Sequence, residues 1–387
     1  MNPASFGETQ TIISFFTQIS TFFVVLGLIS IGIITKYSDE EKREELTNEL
    51  SRVALGLSIF FLLLSFLFST PLRNFFHFSS SGPFILMGIA LVINVPLSFS
   101  NAYLQGNKHF KSLSIVNVVS SVSKLILSAV LVLVGLKTMG AIAGLLVAQL
   151  IGLFYSLKNG KGLMHFIKVH FQWHWPKFNL IKPELPYAVM VLATSLTTNL
   201  FISFDILVVK HYFTPVQAGL YTGISIISNI IFFITGPFAA VMIPSIKLSR
   251  PFKENQQILK RSLLITASTG GLALLIFLLA PHFVVLLLLG KKYAVYSSFL
   301  RGLSFSMFAL SIANLLIYYH IGLRHFLVAP MVLVGLITTL ILLDRKHATM
   351  GSVVWDLVVG AIVLLVLMFL LLFVYRRELA WRHLKPL

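Results

Sequence analysis

Apolar runs about twenty residues long recur from one end of the chain to the other, separated by short segments that carry charge, Gly or Pro. A bilayer core about 30 Å thick is crossed by about 20 helical residues. The runs therefore predict membrane helices near 10–35, 52–70, 83–105, 113–136, 139–157, 188–210, 217–245, 261–289, 297–320, 325–343 and 352–375, with a break inside the eighth at Pro281. The expected fold is an all-α integral membrane protein of about eleven transmembrane helices. The same pattern divides the chain into an N-terminal bundle of five spans (1–157), an interfacial linker (158–187), a C-terminal bundle of six spans (188–375) and a basic tail (376–387).

Composition agrees with this pattern. Of 387 residues, 57% are hydrophobic and only 11% charged, against roughly a quarter charged in an ordinary soluble domain. Mean hydropathy is +0.90. The net charge of +17 would suit nucleic acid only if the basic residues formed a patch interleaved with exposed aromatics. They lie mostly in short loops instead, so a nucleic-acid partner is not expected. The absence of cysteine removes disulfides, thiolate metal sites and thiol catalysis. Met1-Asn-Pro-Ala-Ser-Phe-Gly7 lacks the basic start of a cleaved secretory signal. No phosphate-binding Gly-x4-Gly-Lys-[Ser/Thr] loop, His-Glu-x2-His zinc motif or Gly-x-Ser-x-Gly elbow occurs. An enzyme is not expected, and no cofactor is implied.

The loops also predict orientation, because Lys and Arg concentrate on the cytoplasmic side. With the N-terminus outside, the inner segments hold 21 of the 30 basic residues and the outer ones 8, while Lys124 falls within a span. The expected protein is multi-pass in a cytoplasmic (inner) membrane, N-out and C-in. Its 158–187 linker mixes five lysines with Phe166, Phe171, Trp173 and Trp175. Such a segment suits the inner headgroup layer and its anionic lipids. His170 and His174 in the linker stand at i and i+4, a metal-compatible spacing, but without a carboxylate or cysteine beside them they do not predict a metal site.

Four landmarks recur at offsets of 210 to 216 residues. Pro3-x3-Gly7 returns as Pro215-x3-Gly219, and Leu-Leu-Ser-Phe-Leu-Phe-Ser-Thr-Pro71 as Leu-Leu-Ile-Phe-Leu-Leu-Ala-Pro281. Gly106-Asn-Lys-His-Phe110 returns as Gly322-Leu-Arg-His-Phe326, and Thr138-Met-Gly140 as Thr349-Met-Gly351. Six helices in the second copy return the chain to its starting side, so the copies are expected to be parallel repeats. The span 188–210 precedes the second Pro-x3-Gly and has no counterpart before the first. The first bundle is thus expected to lack its opening helix, either as a natural eleven-span form or through a start at an internal Met of a twelve-span parent.

Glu184-Leu-Pro-Tyr, Asp205-Ile-Leu-Val-Val-Lys-His-Tyr-Phe-Thr-Pro-Val-Gln-Ala-Gly-Leu-Tyr221, Gly236-Pro-Phe and Ile243-Pro-Ser-Ile together resemble the second-half signature of polysaccharide biosynthesis proteins. These are the Wzx-like O-antigen and teichoic-acid exporters of the multidrug/oligosaccharidyl-lipid/polysaccharide (MOP) superfamily. Leu104-Gln-Gly-Asn-Lys-His-Phe110 and Gly290-Lys-Lys-Tyr293 resemble further loops of that family. The resemblance implies two six-helix-type bundles around a central cavity. It also implies alternating-access flipping of undecaprenyl-pyrophosphate-linked oligosaccharide for lipopolysaccharide or other surface polysaccharide. The partners it implies are that lipid-linked substrate, membrane lipids, and a polysaccharide polymerase or glycosyltransferases. Two rival readings remain: a cation-coupled multidrug-type exporter, and a non-transporting component of a polysaccharide assembly complex.

Asp205 is the leading candidate on the substrate or ion path. A mid-span carboxylate costs about 2.5–3.5 kcal/mol to insert and must face a cavity or a partner. At 100° per residue, Thr194, Thr198, Asp205 and Tyr212 fall on one side of their helix. This stripe serves either a proton or cation site or a pair that fixes helix packing. Lys124, in line with Asn117, Ser120 and Ser128, either meets an anionic group or snorkels to the interface. Arg301, Lys291, Lys292 and Lys210 near outer helix ends either receive an anionic headgroup or are solvated. Gly236 and Pro237 form the expected hinge, since Pro removes a backbone donor and bends its helix.

Overall fold

The computed structural model describes residues 2–36, 39–159, 182, 185–246, 251–345 and 349–382. Among them the regular elements are all helical, as lipid requires of an open chain that must satisfy every backbone polar group internally. The helices are α1 (Pro3–Lys36), α2 (Glu40–Leu67), α3 (Ser69–Phe75), α4 (Gly82–Gly106), α5 (Phe110–Leu131) and α6 (Lys137–Asn159). They are followed by α7 (Leu185–Tyr212), α8 (Pro215–Ser245), α9 (Phe252–Leu279), α10 (Pro281–Leu289), α11 (Phe299–Gly322), α12 (Val328–Arg345) and α13 (Met350–Arg382).

Among the described residues, nine helical runs are long and apolar enough to cross a bilayer, so the protein is a multi-pass membrane protein. The difference from the expected eleven lies in two places. Phe110–Ser156 forms one continuous run of 47 residues, about twice a bilayer's thickness at 1.5 Å per residue. It turns back through the wide turn Val132–Leu136, with Gly135 at φ 100°, so that α5 and α6 pack on each other. The apolar stretch Val328–Asp344 is shorter than the other spans. The break expected at Pro281 is present: α9 ends at Leu279 and Pro281 starts α10 in its first turn, where the missing N–H costs nothing.

The chain divides into two compact units, Met1–Ala188 and Val189–Leu387. In the first, α4 packs against α1, α2 and α6, and Phe84, Leu91 and Val95 of α4, Phe23 of α1 and Leu50 of α2 are buried. Edge-to-face contacts from Phe15 to Phe76 and Phe84 fill one end. Asp39 caps α2 by accepting from the backbone N–H of Glu41 at 3.1 Å, and Glu40 and Glu41 follow in the first turn, both favourable to a helix N-terminus. The acidic start of α2 is exposed at Glu40, Glu41 and Glu45. Glu49 is buried and holds Arg52 at 2.8 Å. In the second unit α11 is the central helix, packed by α8, α9 and α13, and Leu300, Leu310, Ala313 and Leu316 on it are buried.

Two connections repeat in detail. After α4, the N–H groups of Asn107, Lys108 and His109 donate to Tyr103, Gln105 and Leu104; after α11, those of Leu323, Arg324 and His325 donate to Tyr319, Ile321 and His320. Lys108 has φ 61° and Arg324 φ 51°. Both are Schellman-type ends, in which a left-handed residue lets the chain close the last helical carbonyls. The loop repeated in sequence is therefore repeated in backbone geometry.

Candidate functional site

Asp205 is buried in the second unit. It sits two turns before the end of α7, where the following Pro215 opens α8 and brings that helix back alongside. On α8, Tyr221 and Ser225 stand one turn apart and so share a face. Both hydroxyls donate to Asp205 Oδ2, at 3.1 Å from Tyr221 and 2.6 Å from Ser225. Among the described residues Oδ1 has no hydrogen-bond partner. The carboxylate is thus held on Oδ2 by two donors from α8, with Oδ1 buried beside them. Neither donor was singled out from the sequence, although Tyr221 closes the motif that begins at Asp205. Their pairing depends on the turn at 213–214, which sets the register of the two helices.

The rest of the stripe runs along the same helix to different ends. Thr198 donates to Asn314 of α11 at 3.4 Å, and Thr194 bonds back to the carbonyls of Met190 and Val191. Tyr212, at the helix end, is 45% exposed. Asn229, one turn beyond Ser225, donates to the carbonyl of Ile202 at 3.3 Å, and its Oδ1 is buried without a partner among the described residues. Asp205, Ser225 and Asn229 therefore form a short polar strip between α7 and α8.

The other candidates fall elsewhere. On α5, Asn117 and Lys124 are exposed with respect to their own unit. Ser120 and Ser128 turn instead toward α6, where Ser128 donates to Ala141 at 3.0 Å and Gly144 and Gly152 leave room for the two serines. Arg301 donates through Nε to the carbonyl of Leu278 at 3.1 Å and so closes the end of α9. Lys210 is buried, as is Asp356 on α13. His170, His174 and the linker's aromatic residues lie outside the described residues.

Sequence comparison decides the family. Residues 1–298 match the model of the family described as polysaccharide biosynthesis protein. The chain belongs to that family. No curated protein sequence matches it. Among solved structures it is similar to an inward-facing multidrug resistance MATE family transporter of the MOP superfamily, with a TM-score of 0.77, 14% identity, and coverage of 100% of this chain and 93% of the other. It is also similar to the lipid II flippase MurJ in an inward closed conformation (0.66, 16%, 94% and 85%). A third similar structure is the Vibrio cholerae MATE transporter VcmN in a bent form (0.62, 15%, 98% and 89%). At these identities the likeness establishes the fold, that of MOP superfamily transporters.

The Gly290–Tyr293 loop meets α8 just beyond Tyr221. Gly290, at φ 86°, starts the turn Lys291–Tyr296 in a conformation that favours glycine. That turn lays Tyr293 on Gly223 so closely that a Cβ there would stand 2.6 Å from the ring. Burial pushes the Tyr293 phenol above its ordinary range. Gly236 and Pro237 lie inside α8. Pro237 cannot donate to the carbonyl of Phe233, and Thr235 bonds its hydroxyl back to Ile231 and Phe232 at 3.1 and 2.9 Å, a pattern that bends helices. A Cβ at Gly236 would meet nothing within 4 Å, so this stretch is loosely packed on one side.

The sequence reading passed over Glu8. It is buried on α1 and accepts from the Ser79 backbone N–H at 2.9 Å, the Ser79 hydroxyl at 3.2 Å and the Thr138 hydroxyl at 2.9 Å. The available signal was a single acid close to the start of a span. Placing that span at 10–35, when the helix begins at Pro3, assigned Glu8 to the aqueous side.

Proposed function

We propose that this protein is a flippase that carries an undecaprenyl-pyrophosphate-linked oligosaccharide across the bacterial cytoplasmic membrane for surface polysaccharide synthesis. The observation that carries the reading is the family match over residues 1–298, on a fold shared with a lipid II flippase. Transport would proceed by alternating access, with Gly236 and Pro237 as hinge. The 158–187 linker would lie on the inner interface, in the N-out, C-in orientation that the 21-to-8 distribution of basic residues favours.

Within this cycle Asp205 is the proton or cation site. Its buried Oδ1 supplies an acceptor, and Tyr221 and Ser225 fix the carboxylate so that occupancy of that oxygen is felt by both α7 and α8. Thr194, Thr198 and Tyr212 would continue the path, and Asn117 and Lys124 would offer a cation and an amide to a pyrophosphate. Likeness to multidrug transporters supports a second reading, cation-coupled export of amphiphilic cations. One experiment separates the two: expression in a strain lacking its O-antigen flippase and, in parallel, in a drug-efflux-deficient strain. Restored surface polysaccharide without raised drug tolerance is the expected outcome. Raised tolerance alone would transfer the assignment to the second reading, and neither phenotype would point to a non-transporting component.

A further inference from the structure

The inner end of the hairpin formed by α8 and α9 carries a groove of about 350 Å³, within the roughly 300–1,000 Å³ range of small-molecule sites. Phe238, Met242 and Ser245 of α8 and Ile258, Arg261, Ser262 and Ile265 of α9 line it, Met242 being buried and Arg261 and Ile265 exposed. Arg261 is exposed, and among the described residues it makes no hydrogen bond or ion pair. Glu254, one turn before Ile258, is exposed and is not paired with it. Arg261 is also the last charge before an uncharged stretch from Ser262 to Leu289, which sets its depth at the headgroup layer. The groove thus presents a cation and a hydroxyl where lipid phosphates lie, and an apolar trough where acyl chains begin. Exposed Lys253 and Lys260 add positive charge beside it.

We infer that this groove binds an anionic glycerophospholipid of the surrounding bilayer, its phosphate on Arg261 and Ser262 and one acyl chain along Met242, Phe238 and Ile265. Basic pockets between transmembrane helices recognise anionic headgroups in this way, and guanidinium can take two phosphate oxygens at once. The inference depends on the membrane placement of α8 and α9 and not on the flippase assignment. A zwitterionic lipid fills the same trough but brings its own cation toward Arg261, so the site discriminates by headgroup.

The test is native mass spectrometry of the full chain, reconstituted in bilayers of equal phosphatidylglycerol and phosphatidylcholine and then released. One phosphatidylglycerol should be retained in preference to phosphatidylcholine. Hydrogen bonds to charged groups are worth about one to two powers of ten in affinity, so Arg261→Gln should lower that preference roughly ten- to a hundredfold. Arg261→Lys, which keeps the charge and loses the fork, should lose less than Arg261→Gln, and Ile265→Trp, which fills the trough from an exposed position, should lower retention of both lipids. Lys260→Gln, a neighbouring cation outside the groove, should change little. Equal retention of the two lipids by the wild-type chain would overturn the inference, as would equal losses from Arg261→Gln and Lys260→Gln. Displacement of the bound phospholipid by stoichiometric undecaprenyl phosphate, dependent on Arg261, would also overturn it and assign the groove to the transported lipid.

Discussion

Replacing Asp205 by Asn separates a transport role from a packing role, because the two make opposite demands on stability. In the charged form, Oδ2 accepts from Ser225 at 2.6 Å and Tyr221 at 3.1 Å. Hydrogen bonds to charged groups are worth about 1.5–3 kcal/mol each, against about 0.5–1.5 for neutral ones. Keeping both donors but losing the charge therefore forfeits on the order of 1–3 kcal/mol. Removing a charge from within the span recovers at most about 2.5–3.5 kcal/mol, less the smaller cost of burying an amide. The opposing effects nearly cancel, and at roughly 2–4 °C per kcal/mol the unfolding midpoint of Asp205→Asn should move by only a few degrees. Ser225→Ala is chemically smaller but should destabilise more, by about 1.5–3 kcal/mol, because it takes the nearer donor from a buried carboxylate. The assay is thermal unfolding in detergent alongside surface polysaccharide in a flippase-null strain, at matched membrane abundance. Asp205→Asn should keep its abundance and lose complementation. If it lost abundance as Ser225→Ala does, Asp205 would be a packing pair; if it complemented fully, it would have no part in transport.

Glu8→Ala should destabilise the N-terminal bundle by about 3 kcal/mol or more, since three donors lose a buried acceptor; Thr138→Val should cost about 1–2 kcal/mol, both read as detergent unfolding midpoints. Gly223→Ala should cost about 1–3 kcal/mol through overpacking against Tyr293, and Tyr293→Ala in the same chain should recover part of that loss; an additive double mutant would refute the contact. His325, in the turn after α11, stacks on Tyr375 at 3.6 Å and meets the Nδ1 of His320 at 3.0 Å. Burial lowers its pKa from 6.5 to about 4. The unfolded chain then binds more protons than the folded one between these values. Stability from this group is complete above about pH 6.5 and is lost as pH falls toward 4. His325→Asn should flatten the pH dependence of the unfolding midpoint in that window.

Much of the fold was legible because lipid punishes every misplaced charge, so span boundaries are written in charge and proline. Pro281 marked its break correctly, and the paired Gly-x2-His-Phe loops proved to share one backbone path. Side-chain partnerships were less legible. Periodicity put Thr194, Thr198, Asp205 and Tyr212 on one side of a helix, but a wheel does not say which neighbour faces that side. Ser225 and Tyr221 became partners only through the register of α8 against α7. On α5 the expected stripe divides, because glycines on α6 draw Ser120 and Ser128 inward while Asn117 and Lys124 remain outside. Glu8 was missed because a helix that starts seven residues earlier than expected carries an acid inward with it.

Among the described residues, four turns hold a positive φ without glycine. The positions are His77, Lys108, Lys137 and Arg324. Turn chemistry alone would favour Gly or Asn there, and an ordinary L-residue gives up roughly 1–2 kcal/mol to adopt this conformation. Each of the four instead carries an exposed nitrogenous side chain. Each of these turns thus keeps that side chain at a backbone position that glycine would hold with less strain.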